Sequence, residues 1–125
     1  NGGNYTSPSI IVGEVEDDGN LISKEKNNSA RAISEETAET LREYMRYVVT
    51  NGTGMAAEYN NNSAGKTSTA ESGIYEDDKE ILNTWFAGFY PYDNPKYAIV
   101  VLTEDGVSGS TDCCPVFRTT VENIG

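Results

Sequence analysis

The sequence predicts an α+β domain in which an antiparallel sheet of at least three strands is covered by helices. Two runs, 85–90 and 97–102, are rich in the aromatic and β-branched residues typical of strands. Apolar residues recur at three- and four-residue spacing over 38–49, which is the period of a helix with one buried face. The length of 125 residues is that of a single domain.

The charge balance excludes some partners. With 20 acidic and 9 basic residues the formal net charge is -11, whereas binding to nucleic acid needs a basic stripe. The acidic runs 14–18, 35–43 and 76–80 are expected to be solvated faces. No apolar run is long enough for a bilayer and no signal-peptide pattern is present, so we expect any export or anchoring signal to lie outside this sequence.

The first third of the chain predicts short strands. Residues 5–17, with an apolar cluster at Ile10, Ile11, Val12 and Val15, predict an extended segment ending at the turn 17–20. Leu21 and Ile22 are predicted to return as a short partner strand, and 23–29 to form a loop.

The clearest helix is predicted to begin near Ser34 as N-cap, with Glu35 and Glu36 at the positive end of its dipole. It should end at Asn51-Gly52-Thr53-Gly54, where residues tolerate left-handed conformations. We expect its apolar stripe to pack against the sheet. The stripe consists of Ala38, Leu41, Met45, Val48 and Val49.

The sheet is predicted to follow a turn at 60–63. Its first strand covers 64–72, and 76–80 is expected to be an exposed connection with a short helical turn. The strands 85–90 and 97–102 are joined by a hairpin loop at 91–95. Gly88, in the middle of a strand, predicts that another group packs closely on the backbone.

A loop is predicted up to Asp112, followed by a terminal helix that Pro115 can start. Cys113 and Cys114 are adjacent, so a disulfide between them would be strained, and we expect two free thiols. Because the chain contains no histidine, we expect no metal site. We also expect no cofactor. The apolar face of the terminal helix is predicted to comprise Val116, Phe117, Thr120, Val121 and Ile124.

The candidate functional segment is 64–71, a lysine among small and hydroxylated residues on a predicted strand. Such a strand can bind an anion and supply backbone N–H groups to a developing oxyanion. Gly65-Lys66-Thr67 is not a phosphate-binding loop, because Asn60 occupies the position of the second glycine. The dinucleotide-like spacing in 52–57 follows a helix instead of a strand, so we interpret it as a helix cap and loop.

Several ordered segments resemble the C-terminal part of the transpeptidase domain of class B penicillin-binding proteins, of the division, elongation or sporulation type. The resemblance runs over nearly the whole chain. Its pieces are Asn1-Gly2-Gly3, Val48-Val49-Thr50-Asn51-Gly52-Thr53-Gly54, Ala64 to Glu71, Trp85-Phe86-Ala87-Gly88-Phe89, Asp93-Asn94-Pro95-Lys96-Tyr97 and Pro115-Val116-Phe117-Arg118.

The family combines a Ser-x-x-Lys nucleophile, a Ser-x-Asn type motif and a Lys-Thr-Gly strand. By resemblance, Lys66 helps bind the substrate carboxylate and tunes the proton network beside the nucleophile. Thr67, Ser68 and Thr69 are the expected substrate-binding or β-lactam-binding positions, and the N–H of Thr69 is expected to be an oxyanion donor. Ser68 stands where the family usually has glycine. The Ser-x-x-Lys spacings at Ser23 and Ser63 do not lie on a predicted helix and are interpreted as coincidences.

The resemblance implies that the chain is a single piece, 1–125, lacking the upstream helical part with the nucleophile and inactive by itself. The parent would cross-link peptidoglycan through an acyl-serine, with the D-Ala-D-Ala stem peptide and β-lactams as ligands, at the extracytoplasmic face of a bacterial membrane. One alternative is a non-catalytic β-lactam-sensing or binding module of the same fold. Another is an unrelated secreted α+β domain, in which Lys66 would be buried in a salt bridge. Apolar surface exposed by the missing half predicts a homodimer of the piece.

Overall fold

A computed structural model describes residues 1–11, 13–23 and 29–124. The chain divides into two compact units, Asn1–Glu39 and Thr40–Gly125. The predicted α+β class is confirmed, since the described residues form antiparallel strands and two α-helices. Within this part of the chain, no helix is both long and apolar enough to cross a membrane.

The first unit contains two short antiparallel ladders. Strand β1 (Asn4–Thr6) pairs with β4 (Ser29–Arg31), and β2 (Gly13–Val15) pairs with β3 (Leu21–Ser23). The predicted return of Leu21 and Ile22 is therefore confirmed.

The prediction of one extended segment over 5–17 is wrong, because residues 7–11 belong to no strand. β1 finds its partner far along the chain in β4, and a local apolar pattern carries no information on such pairing. Val12 and most of the predicted loop, residues 24–28, lie outside the described residues.

Helix α1 covers Glu35–Asn51. The predicted N-cap is confirmed, since the Ser34 hydroxyl accepts a hydrogen bond from the Thr37 N–H at 3.1 Å. The expected burial of the whole stripe is wrong: Val49 is 1% exposed, but Leu41 is 48% exposed. The helix contributes to the hydrophobic core through Val49, near its C-terminal end.

Helix α1 ends at Asn51, as predicted, but the predicted left-handed conformation is wrong, since no residue of 51–54 has a positive φ angle. The N–H groups of Gly52 and Gly54 both donate to the carbonyl of Val48 at 3.0 Å. A single 3-10 turn, Met55–Ala57, follows. The interpretation of 52–57 as a cap and loop is therefore confirmed.

The second unit contains the predicted three-stranded antiparallel sheet. Its strands are β5 (Ala64–Glu76), β6 (Lys79–Tyr90) and β7 (Tyr97–Thr103), in the order β5-β6-β7. The exposed connection predicted at 76–80 is confirmed, but its helical turn is wrong, since a two-residue hairpin joins β5 to β6. Asp77 and Asp78 have φ angles of 49° and 62°, the left-handed conformations that hairpin turns require.

Helix α2 (Cys114–Ile124) packs on the sheet and completes the core. The Phe86 and Phe117 rings lie 4.7 Å apart, edge to face. The close approach predicted at Gly88 is confirmed, because a Cβ there would lie 3.0 Å from the Phe117 ring. The core residues are Val49, Ala57, Phe86, Tyr90, Cys113, Cys114, Phe117 and Val121.

The predicted apolar face of α2 is correct at Phe117 and Val121 but wrong at Val116 and Ile124, which are 50% and 41% exposed. The buried face instead includes Cys114, three residues before Phe117 and seven before Val121, which is a helical repeat. Both cysteines are free, as predicted, and the structure shows that both are buried. Burial raises the pKa of the Cys114 thiol to about 11.

Candidate functional site

A groove of about 380 Å³ lies along β5, which is an edge strand of the three-stranded sheet. Its walls come from β5, from the loop after α1 and from the segment after β7. The lining residues are Thr53, Lys66, Thr67, Ser68, Thr69, Ser108, Gly109 and Ser110. Lys66 is the charged member of this set, and most of the others carry hydroxyl groups.

The hydrogen-bonding direction of β5 follows from its neighbour β6. The carbonyls of Leu82 and Tyr90 accept from the N–H groups of Gly106 and Lys96, which lie beyond the two ends of β7. Even-numbered residues of β6 therefore point their backbone polar groups toward β7, and odd-numbered residues point theirs toward β5.

The register between β5 and β6 then gives the direction of each backbone N–H group of β5. Trp85 and Ala87 pair with Ser68 and Lys66, so the N–H groups of Ser68 and Lys66 point into the ladder. The N–H groups of Thr67 and Thr69 point to the open edge of β5, on the opposite side from β6. An edge strand with outward N–H groups beside a lysine is suited to binding a negatively charged oxygen.

The structure brings all four predicted site residues to this groove. Lys66 is exposed, and its Nζ donates to the backbone carbonyl of Thr67. Thr67 is 8% exposed, whereas Ser68 and Thr69 are exposed. Lys66 is thus not the buried, salt-bridged lysine expected of an unrelated domain.

Thr53 joins the site from the loop after α1. Its hydroxyl lies 2.6 Å from the hydroxyl of Thr67, within hydrogen-bonding distance. The cap on Val48 fixes the glycines on both sides of Thr53. The loop therefore holds the Thr53 hydroxyl against the strand.

The wall facing β5 is the segment 107–113, which includes a π-helical turn, Gly109–Cys113. Gly109 is buried, and a Cβ there would collide with the carbonyl of Trp85 and lie 2.9 Å from that of Ser68. Glycine is thus needed for this wall to approach the strand.

Asp112 organises the same wall. Its carboxylate accepts from the N–H groups of Val107 and Ser108 at 2.7 and 2.9 Å, and from the hydroxyl of Thr84 at 3.3 Å. These bonds, that from Ser108 above all, hold the pKa of Asp112 below its ordinary value of 3.8. The ionised carboxylate therefore ties the loop to β6.

Arg46 of α1 fixes the start of β5. Its guanidinium forms a salt bridge with Glu58, whose side chain is 28% exposed, and donates to the carbonyl of Ser63 and the side chain of Asn61. The guanidinium carbon, Cζ, also lies 5.7 Å from the centroid of the Tyr92 ring. The chain entering the lysine strand is thereby held by one part-buried cation.

Ser63 does not face the groove. It is fully buried, and its hydroxyl accepts from the Tyr59 N–H at 3.1 Å. It directly precedes β5 and lies on no helix, as expected for a coincidental Ser-x-x-Lys spacing. In the other spacing, from Ser23, Lys26 lies outside the described residues.

Sequence reasoning missed Thr53, Ser108 and Ser110 as lining residues. Thr53 stands in a Gly-Thr-Gly run that was interpreted only as a helix cap. Ser108 and Ser110 flank Gly109 in a predicted loop. A hydroxyl-glycine-hydroxyl run in a loop is a usable signal, although only the fold shows that both loops reach β5.

No group of three or more metal-ligating side chains is gathered in the ranges 1–11, 13–23 and 29–124. The chemistry available in the groove comes from a cation, hydroxyl groups and outward N–H groups. These groups can bind a carboxylate and stabilise charge on a neighbouring oxygen.

The fold is that of the transpeptidase domain of penicillin-binding proteins. The model of the penicillin binding protein transpeptidase domain family matches residues 1–122, and the chain belongs to that family. The resemblance to the C-terminal part of a class B transpeptidase domain is confirmed.

Among the relatives, the chain is 36% identical to penicillin-binding protein PbpB of Mycolicibacterium smegmatis, over 94% of this chain and 21% of the relative. Penicillin-binding protein 3 of Mycobacterium tuberculosis, solved in complex with ampicillin, matches with a TM-score of 0.82 and 30% identity. That match covers 98% of this chain and 31% of the solved one. The D,D-transpeptidase domain of an Eggerthella lenta peptidoglycan glycosyltransferase matches with a TM-score of 0.79 and 29% identity, over 100% of this chain and 30% of that one. The chain therefore spans about a fifth of the curated relative.

Proposed function

We propose that this chain is the C-terminal piece of a D,D-transpeptidase that cross-links peptidoglycan, and that the β5 groove binds the reacting end of the stem peptide. The observation that carries the proposal is the joint position of Lys66, Thr67 and the outward N–H of Thr69 on one open strand edge. The ammonium and the Thr67 hydroxyl suit the terminal carboxylate of D-Ala-D-Ala, or the carboxylate of a β-lactam.

In the proposed reaction a serine oxygen from the remainder of the domain attacks the carbonyl of the penultimate D-Ala. The carbonyl oxygen becomes an oxyanion, and the N–H of Thr69 donates to it. When the C–N bond breaks, the terminal D-Ala leaves with a proton and an acyl-serine ester remains. An amine of a neighbouring peptide then attacks the ester, forming the cross-link and restoring the serine hydroxyl.

The oxyanion role of Thr69 can be tested in the full-length protein by Thr69→Pro. Proline removes the N–H, and an edge strand tolerates it where that N–H points away from the ladder. We expect acylation by a fluorescent penicillin to fall by roughly 10²- to 10³-fold, as for loss of one oxyanion donor. The matched control is Glu71→Pro, which removes another outward N–H farther along β5.

Equal rates for Thr69→Pro and the unmodified protein would overturn the oxyanion role. A protein that is acylated but forms no cross-links with a stem-peptide donor and an amine acceptor would instead be the sensing module. The isolated chain is expected to remain unlabelled by the penicillin, because we propose that the nucleophile lies upstream. Specific labelling of one of its serines would contradict that.

We propose that the full-length protein acts at the extracytoplasmic face of the membrane, where peptidoglycan is cross-linked, with its anchor outside this chain.

We also propose that the isolated chain forms a homodimer. Val116 and Ile124 are exposed on α2 beside a shallow surface depression, and exposed apolar area favours association. Light scattering that shows a monomer at high concentration would refute the dimer.

A further inference from the structure

The hydroxyl pair Thr53–Thr67 raises the question of which oxygen donates. The two oxygens lie 2.6 Å apart, and geometry alone allows either to be the donor. Each hydroxyl carries one proton and two lone pairs. In an empty groove, both directions are therefore available.

An anion in the groove removes this freedom. A carboxylate only accepts hydrogen bonds. A Thr67 hydroxyl that binds a carboxylate must therefore donate its proton to that hydrogen bond. The oxygen of Thr67 can then only accept from Thr53. With Thr67 8% exposed, little water is available to replace that donor.

Thr53 is well placed to supply this hydrogen bond. It lies between Gly52 and Gly54, and the N–H groups of both donate to the Val48 carbonyl at 3.0 Å. A Cβ on Gly54 would lie 3.1 Å from a Val48 methyl group, so a small residue is favoured at that end of the loop. The loop thus presents Thr53 at the groove in one position.

We propose that Thr53 is a positioning residue that donates to Thr67 and thereby directs the Thr67 proton toward a substrate carboxylate. The inference rests on the proposed function, since it assigns the groove a carboxylate ligand. Thr53 acts through Thr67, and its removal should weaken recognition of the carboxylate more than the chemical step.

The test uses the full-length protein and two β-lactams that differ only in the anion, benzylpenicillin and its methyl ester. We expect Thr53→Val to raise the concentration of benzylpenicillin needed for half-maximal acylation by roughly 2- to 10-fold, the effect of one hydrogen bond. Acylation by the ester should change little. Thr53→Ser, which keeps the hydroxyl, should restore most of the affinity for benzylpenicillin.

Thr119→Val on α2 is a matched control, because it removes a hydroxyl from an exposed residue outside the groove. Thr53→Ala removes the hydroxyl without adding a methyl group and replaces Thr53→Val if the latter does not fold.

Equal weakening of acid and ester would mean that Thr53 is only structural and would overturn the proposal. The same holds if Thr53→Ser is as impaired as Thr53→Val, or if Thr53→Val acts like the unmodified protein. Absence of any acylation of the unmodified protein would instead overturn the proposed function itself.

Discussion

The two ends of the β5–β6 ribbon have the same ladder but different surroundings. At the site end, Ala64, Gly65 and Thr67 are buried, and the paired Phe86 is fully buried against Phe117. At the tip end, Tyr75 is 64% exposed and the register shifts between Glu71 and Tyr75.

This difference shows that an edge strand can position a binding site only where its backbone is held by packing. Outward N–H groups occur along any edge strand, but only at the site end do α2 and the segment 107–113 cover one face of the sheet. Packing there holds the backbone in one position, whereas the side chains at the tip have no such packing to restrain the backbone. The charged groups of the tip are accordingly solvated, as the acidic run 76–80 predicted.

The largest expected effect on stability comes from replacing Phe86, the buried residue of β6 that pairs with Thr67. Phe86→Ala should lower the free energy of unfolding by about 3–5 kcal/mol, because it leaves a cavity against Phe117. Tyr75→Ala, at the exposed tip, should change it by no more than about 0.5 kcal/mol. Denaturant unfolding of both variants measures the contrast, and equal losses would show that both ends are equally packed.

An intermediate effect is expected from Arg46, which holds the entry to the site end. Arg46→Ala leaves Glu58 and the Ser63 carbonyl without this donor, and we expect a loss of about 2 kcal/mol. In the full-length protein, acylation should also slow, since the start of β5 is released. Arg118→Ala, an exposed arginine on α2, is the control, and a similar result for both arginines would contradict the proposed anchoring.

The smallest effect concerns Asp112 and depends on pH. Because its pKa is lowered in the folded state, its stabilising contribution is complete above the ordinary value of 3.8 and is lost as the pH falls through the lower folded-state value. Asp112→Asn should therefore be less stable than the unmodified chain at pH 6, and this difference should shrink at pH values well below 3.8.

Thermal unfolding at both pH values measures this difference. Asp77→Asn at the tip is the matched control, because asparagine tolerates the left-handed conformation there. A stability difference for Asp112→Asn that does not vary with pH would refute the role of the charge.

Much of the fold was predictable because its elements have local signals. Ser34 caps α1, the aromatic runs form β6 and β7, and Gly88 marks a close contact. The hairpin at Asp77 and Asp78 was missed because it lacks the usual glycine. The partial exposure of the α1 stripe was missed because spacing shows which side chains share a face, not how much of that face is covered.

The site was predictable in composition but not in construction. Residues 66–69 carry their own signal, a lysine followed by hydroxylated residues on a strand. Thr53 lies 14 positions before Thr67 in the sequence, and Gly109 lies 41 positions after Ser68. Each joins the groove only because another element brings it there.

By itself, the sequence determined the class of the fold, the lysine strand and the family, because each depends on residue types at short and ordered spacings. Only the tertiary structure decided that the N–H groups of Thr67 and Thr69 face outward, that Thr53 meets Thr67 and that Gly109 packs over Ser68. The physical reason is that strand pairing sets the direction of backbone groups, and long-range packing sets which loops meet them.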